Sequence, residues 1–132
     1  MEFDRCSNIV IGAAIEVHRE LGVGLLESAY ETALAVELQI RGLAFERQVL
    51  LPATYKGVDL GDAYRMDFVV ERQVVVEIKA VRILLPVHRY QLVTYLRLSR
   101  KQVGLVINFH ANSLRHGLCR IVNSRPGQTP PS

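Results

Sequence analysis

From about Ser7 to Leu21 an apolar residue recurs every four positions, at Ile9, Ala13, Val17 and Leu21, and Gly22 and Gly24 follow. That spacing lays an apolar stripe along an α-helix, and the glycines end it. A second helix is predicted from about Leu26 to Arg41, where Ala29, Tyr30, Ala33, Leu34 and Leu38 share a face and Gly42 supplies the C-terminal cap. After Gly42 the texture changes to β. The segments FERQVLLPATY, KGVDLGDAY, RMDFVV and VVVEIKA carry β-branched and aromatic residues, with Gly57 and Gly61 as turn markers, so three or four strands are expected in succession. Pro86 suits the first turn of a further helix, PVHRYQLVTYLRLS, in which Val87, Gln91, Thr94, Tyr95 and Leu98 fall close to one face. VGLVINF and LCRIV then return to strand. The order α, α, β, β, β, α, β, β suits a single mixed sheet flanked by helices, an α/β (α+β) architecture.

A chain of 132 residues, 49% of them hydrophobic, can bury one ordinary core, so residues 1–122 read as one domain. The ending NSRPGQTPPS is polar and rich in Pro, Gly and Ser, and 123–132 is expected to be a flexible tail. Charged residues interrupt every long apolar run, and the opening MEFDRCSNIV has neither the basic region nor the cleavage site of a signal peptide. A soluble, cytoplasmic protein with no membrane partner is expected. Cys6 and Cys119 stand apart without metal-ligand spacing and are expected as reduced, packed thiols. The formal charge of +3 is compatible with a polyanionic partner without requiring one.

Within VVVEIKA, strand alternation puts Val75, Glu77 and Lys79 on one face and Val74, Val76 and Ile78 on the other. A hairpin through the three residues Glu71, Arg72 and Gln73 would set Asp67 opposite Glu77 and Arg65 opposite Lys79. An even loop would send Asp67 to the other face. Two adjacent carboxylates repel, and without a cation at least one must hold its proton to higher pH. A divalent metal removes that conflict. Asp67, Glu77 and the Ile78 carbonyl offer the oxygen ligands that Mg²⁺ or Mn²⁺ prefers, and Lys79 could orient water or neutralise charge on a phosphate. On spacing alone, the same residues also describe a solvated sheet face with an incidental Glu/Lys pair.

The sequence resembles the GxxExxY family of the PD-(D/E)XK nuclease superfamily. GLLESAY, with Gly24, Glu27 and Tyr30, matches the naming motif, and ERQV, YKG, YRMDFVV, VVVEIKAV, PVHRYQLVTYL and VGLVINF follow in order, from about Ile15 to Val122. The resemblance implies a restriction-endonuclease-like αβββαβ core with an extra N-terminal helix. It also implies that Asp67, Glu77 and Lys79 occupy catalytic positions, that Glu27 completes the metal site, and that Gln91 and Tyr95 border it. Met66 stands where the superfamily's name has proline.

Tyr30 and His18 are further candidates for substrate contact, each with a packing alternative, and Glu27 could equally be a first-turn glutamate that favours its helix electrostatically. Arg97, Arg100 and Lys101 could meet a nucleic-acid backbone or be solvated, while His88, His110 and His116 lack metal-ligand spacing. The leading expectation is a Mg²⁺- or Mn²⁺-dependent nuclease acting on nucleic acid, DNA first. A homodimer would place two twofold-related sites on two strands. The alternatives are a module that binds nucleic acid or protein without hydrolysis, and hydrolysis of another phosphate-containing substrate.

Overall fold

The computed structural model, which describes residues 3–123, begins with two helices, α1 (Phe3–Leu21) and α2 (Glu27–Ile40). Strands β1 (Phe45–Tyr55), β2 (Val58–Val70) and β3 (Val74–Lys79) follow, then α3 (Pro86–Ser99), β4 (Val103–Asn108), a 3-10 turn at Leu114–Gly117 and β5 (Leu118–Val122). The five strands form one sheet in chain order, antiparallel except where β3 and β4 run parallel. That parallel pair needs a crossover, and α3 supplies it. The result is the mixed, helix-flanked α+β sheet of a restriction-endonuclease-like fold.

Helices cover both faces. Val10, Ala13, Ala14 and Val17 of α1 and Tyr30, Leu34 and Leu38 of α2 pack on Phe68, Val70, Val74, Val76 and Ile78, joined by Leu105 and Ile107 of β4. On the other face Leu92, Tyr95 and Leu96 of α3 meet Met66, Val69, Val75 and Val106. The close approach of α3 to the sheet is set at Gly104, where an added Cβ would lie 2.6 Å from a Leu92 methyl.

The helical stripes differ in phase from the sequence reading. A repeat of four residues drifts around a 3.6-residue helix, so the buried line of α1 is Cys6, Val10, Ala13 and Val17, while Ile9 is half-buried and Leu21 exposed. On α2 Tyr30, Leu34 and Leu38 are buried as expected, but Ala29 is exposed and Ala33 half-buried. On α3 the buried residues are Leu92, Tyr95 and Leu96, and Val87 and Leu98 face outward. KGVDLGDAY and RMDFVV form one strand instead of two. Lys56 and Gly57, both at positive φ, turn β1 into β2, whereas Gly61 (φ 77°) sits inside β2, where three steps from Asp62 to Asp59 oppose two from Pro52 to Thr54. Glycine absorbs that bulge, and Pro52 is tolerated because β1 is an edge strand.

Cys6 is buried and its thiol is pushed up to about 11, first by burial and then by the Glu71 charge. Asn123 is buried and donates its N–H to the Gln102 carbonyl, so ordered chain continues past β5; the remaining tail, 124–132, lies outside the described residues. Among the described residues no helix is long and apolar enough to cross a membrane. Gly104→Ala should lower unfolding stability by about 1–3 kcal/mol, because the fully buried Leu92 side chain would have to shift to admit the new methyl. Urea denaturation measures the loss, and an unchanged midpoint would show that α3 can lift from β4 without penalty.

Candidate active site

The turn between β2 and β3 fixes which side chains meet. Glu71 and Arg72 both take positive φ, and Gln73 donates its N–H to the Val70 carbonyl. Val70 pairs with Val74, so Gln73 is the extra residue that makes the loop odd. Pairing proceeds through Val69↔Val75 to Phe68↔Val76 and there the backbone ladder ends, although β3 continues beside β4 to Lys79. The next register position sets Asp67 against Glu77. Here side chains replace the ladder: Asp67 N–H donates to Glu77 Oε1 (3.0 Å), and Ile78 N–H donates to Asp67 Oδ2 (2.8 Å). Backbone N–H and C=O of one strand residue point the same way, so the Ile78 carbonyl also faces this gap. Lys79 points its carbonyl oppositely, to the Phe109 N–H.

Both carboxyl groups are buried, with residue exposures of 8% for Asp67 and 4% for Glu77. Glu77 is pushed up to about 8, first by burial and then by the Asp67 charge, and the two side chains hydrogen bond to each other. Burial also raises Asp67, opposed by the Ile78 N–H. The coupled pair therefore holds one proton near neutrality, and Glu77 is the member that keeps it.

Lys79 is half-buried and donates from Nζ to Gln91 Oε1 at 3.2 Å. Gln91 also bonds the Tyr95 hydroxyl, one turn along α3, and Tyr95 is raised by burial and then by the charges of Glu77 and Asp67. Tyr95 stacks on Tyr64 with ring centroids 5.3 Å apart, and Arg97 acts on Tyr64 electrostatically. The α3 side of the site is thus a chain from Lys79 through Gln91 to Tyr95.

Glu27 enters from the first turn of α2. Its carboxyl is raised by partial burial and then by Asp67, while Lys79 pulls it down. It therefore lies within electrostatic reach of Asp67 and Lys79. Among the described residues, however, no three His, Cys, Asp or Glu side chains converge tightly enough to hold a metal ion. Glu27 is near the pair without closing on it. The Ile78 carbonyl, Asp67 and Glu77 share the gap where the ladder ends.

Tyr30 is fully buried, which removes it from substrate contact. Its hydroxyl donates to the Gly22 carbonyl (2.6 Å) and accepts from Leu25 N–H (3.2 Å), and its ring stacks on Phe109 at 4.7 Å. Tyr30 instead fixes the loop that presents Glu27. His18 hydrogen bonds the Ala111 carbonyl at 2.8 Å and ties α1 to the segment after β4, a packing role. His88 accepts the Leu85 N–H at the start of α3, and His110 packs by Leu25 and Tyr30.

Sequence reasoning missed Glu31, Arg47 and Gln48. Glu31 follows Glu27 by one turn, and its oxygens accept from Arg47 Nη2 (2.7 Å) and Gln48 Nε2 (2.6 Å). The ERQV motif was the available signal, but nothing in it named Glu31 as partner.

A family model described as the PD-(D/E)XK nuclease superfamily matches residues 4–121. No curated protein and no solved structure matches the chain. The chain belongs to the PD-(D/E)XK nuclease superfamily.

Because Glu77 has a higher pKa folded than its ordinary 4.5, its protonated form favours the folded state. Metal-free protein should lose stability as pH rises from about 4.5 through about 8, where the folded group finally ionises. Glu77→Gln should flatten that slope and be the more stable protein at the alkaline end. Urea titrations in chelator across this range give the measurement, and parallel slopes for the two proteins would remove Glu77 as the proton holder.

Proposed function

We propose that this superfamily member is a nuclease that hydrolyses phosphodiester bonds in DNA with Mg²⁺ or Mn²⁺, and that it belongs to the GxxExxY branch through Gly24, Glu27 and Tyr30. The observation that carries the reading is the buried Asp67–Glu77 pair, which replaces backbone pairing at the divergence of β2 and β3. Accepting two backbone N–H groups is a task that side-chain amides could perform without the cost of burying two acids, since buried carboxylates are costly unless neutralised. A module that only binds has no use for them.

The donor set fits a hard divalent cation. Asp67, Glu77 and the Ile78 carbonyl would hold it, with the proton on Glu77 released as the cation takes its place, and water filling the remaining positions that Mg²⁺ habitually leaves to solvent. When bound, such an ion polarises a phosphate oxygen and offsets its charge. Glu27 extends the acidic wall from α2. Lys79, steadied by Gln91, brings its ammonium to the same face as Glu77, where it neutralises charge developing on the phosphate in the transition state. Tyr95 fixes Gln91 and closes the α3 side against solvent.

Incubation with DNA, RNA and nucleotides, with and without Mn²⁺, tests the reaction class; DNA cleavage only with metal is expected. Glu77→Gln should abolish cleavage with the fold intact and weaken Mn²⁺ binding by roughly tenfold or more in calorimetric titration, because one anionic ligand is lost at nearly constant volume. Unchanged Mn²⁺ affinity would strike Glu77 from the ligand set.

Lys79→Ala should leave Mn²⁺ affinity near native and slow single-turnover cleavage by roughly 10²-fold, the usual cost of losing a positioned electrostatic stabiliser. A near-native rate would reduce Lys79 to a packing partner of Gln91.

A further inference from the structure

Consecutive strand residues point to opposite faces, yet Arg47 and Gln48 of β1 grip the same Glu31 carboxylate on α2, at 2.7 and 2.6 Å. The backbone explains how. Gln48 has φ 54°, a left-handed conformation rare for a residue other than glycine and costly within a strand. The pairs Arg47↔Phe68 and Val49↔Met66 bracket it, which sets Gln48 beside Asp67. The phase of β2 changes at the same place. Phe68 and Val70 face the α1/α2 core, whereas Met66, two residues before Phe68, faces the α3 core with Val69. Asp67 lies at that change of phase. Arg47 is held from below as well, its guanidinium 5.8 Å from the centre of the Phe68 ring.

We infer that Glu31 is a positioning residue which, by clamping Arg47 and Gln48 together, keeps Gln48 left-handed and so turns β2 at the point where Asp67 must project toward Glu77. The inference rests on reading Asp67 and Glu77 as the working pair. It accounts for a glutamate whose charge acts unfavourably on Asp67 and Glu27. Its gain is alignment, with Arg47 answering the charge.

Three full-chain variants test it: Glu31→Ala, Gln48→Gly and the two combined. Amide exchange at Ile78, whose N–H bonds Asp67, reads the alignment without metal or substrate; single-turnover cleavage reads the consequence. Glu31→Ala should speed exchange at Ile78 by roughly tenfold while leaving Leu105 in β4 near native, and should slow cleavage. Adding Gln48→Gly should restore both, because glycine adopts positive φ without a clamp. Exchange at Ile78 unchanged by Glu31→Ala, exchange accelerated equally at Leu105, or no rescue by glycine would overturn the inference. If the native protein cleaves no nucleic acid, the nuclease reading fails while the exchange pattern still decides the clamp. Should Glu31→Ala not fold, Glu31→Gln, which keeps the volume and weakens the Arg47 bond, is judged by the same exchange.

Discussion

Asp67 and Glu77 bond across the gap where β2 leaves β3, each carboxyl accepting a backbone N–H from the other strand. Those two bonds do what the next rung of the ladder would have done, so the strands part without leaving buried N–H groups unpaired. The price of the arrangement is electrostatic. Two carboxyl groups in nearly water-free surroundings cannot both ionise near neutrality, and Glu77 holds a proton up to about 8 as a result. Backbone satisfaction and carboxylate proximity are one feature, and neither can be altered alone.

The two hydrophobic layers make room for that feature. On β3, Val74, Val76 and Ile78 belong wholly to the α1/α2 core, which anchors the strand from one side. On the other side Val75 belongs to the α3 core, and the next two positions of that face are Glu77 and Lys79. The α3 core therefore stops one residue pair short of the end of β3, and Gln91 and Tyr95 of the same helix fill the boundary with polar groups. Apolar packing up to Val75 fixes the backbone and leaves the end of that face to Glu77 and Lys79. Asn108 seals the loop beyond by bonding both the N–H and the carbonyl of Val81.

Alternation along VVVEIKA and the odd count of the Glu71–Arg72–Gln73 loop suffice to place Asp67 across from Glu77, because strand geometry and hairpin register are local rules. The four-residue spacing of Gln91 and Tyr95 likewise survives folding, since helix faces are local too. What the sequence could not disclose depends on how loops close and which segments meet in the fold. The Tyr30 hydroxyl is used up by Gly22 and Leu25, which only the closed α1–α2 loop reveals. His18 finds a carbonyl 93 positions away. Glu31 reads as an ordinary surface glutamate until β1 is laid beside α2, and the positive φ of Gln48 has no sequence mark, because glutamine is not a residue that turn chemistry singles out. Gly61 was misread for the opposite reason: glycine serves bulges and turns alike, and only pairing with Pro52 and Thr54 distinguishes them.

Charge around the gap sets an order of events on the proposed reading. Asp67 and Glu77 are joined by Glu27 and Glu31, both close enough to act on Asp67 or be acted on by it. Arg47 is committed to Glu31, while Lys79, whose charge acts on Asp67, Glu77 and Glu27, already donates from Nζ to Gln91. A phosphate approaching this surface before any metal would meet acidic groups in low dielectric, where repulsion is strong. The same donors would hold a divalent cation, which on displacing the Glu77 proton would offset the combined charge of Asp67 and Glu77. On that reading a phosphate would approach the end of β3, where Lys79 would supply a positive centre beside the cation. The acidic groups that would repel nucleic acid from the metal-free protein are thus the same ones whose charge a bound cation would offset.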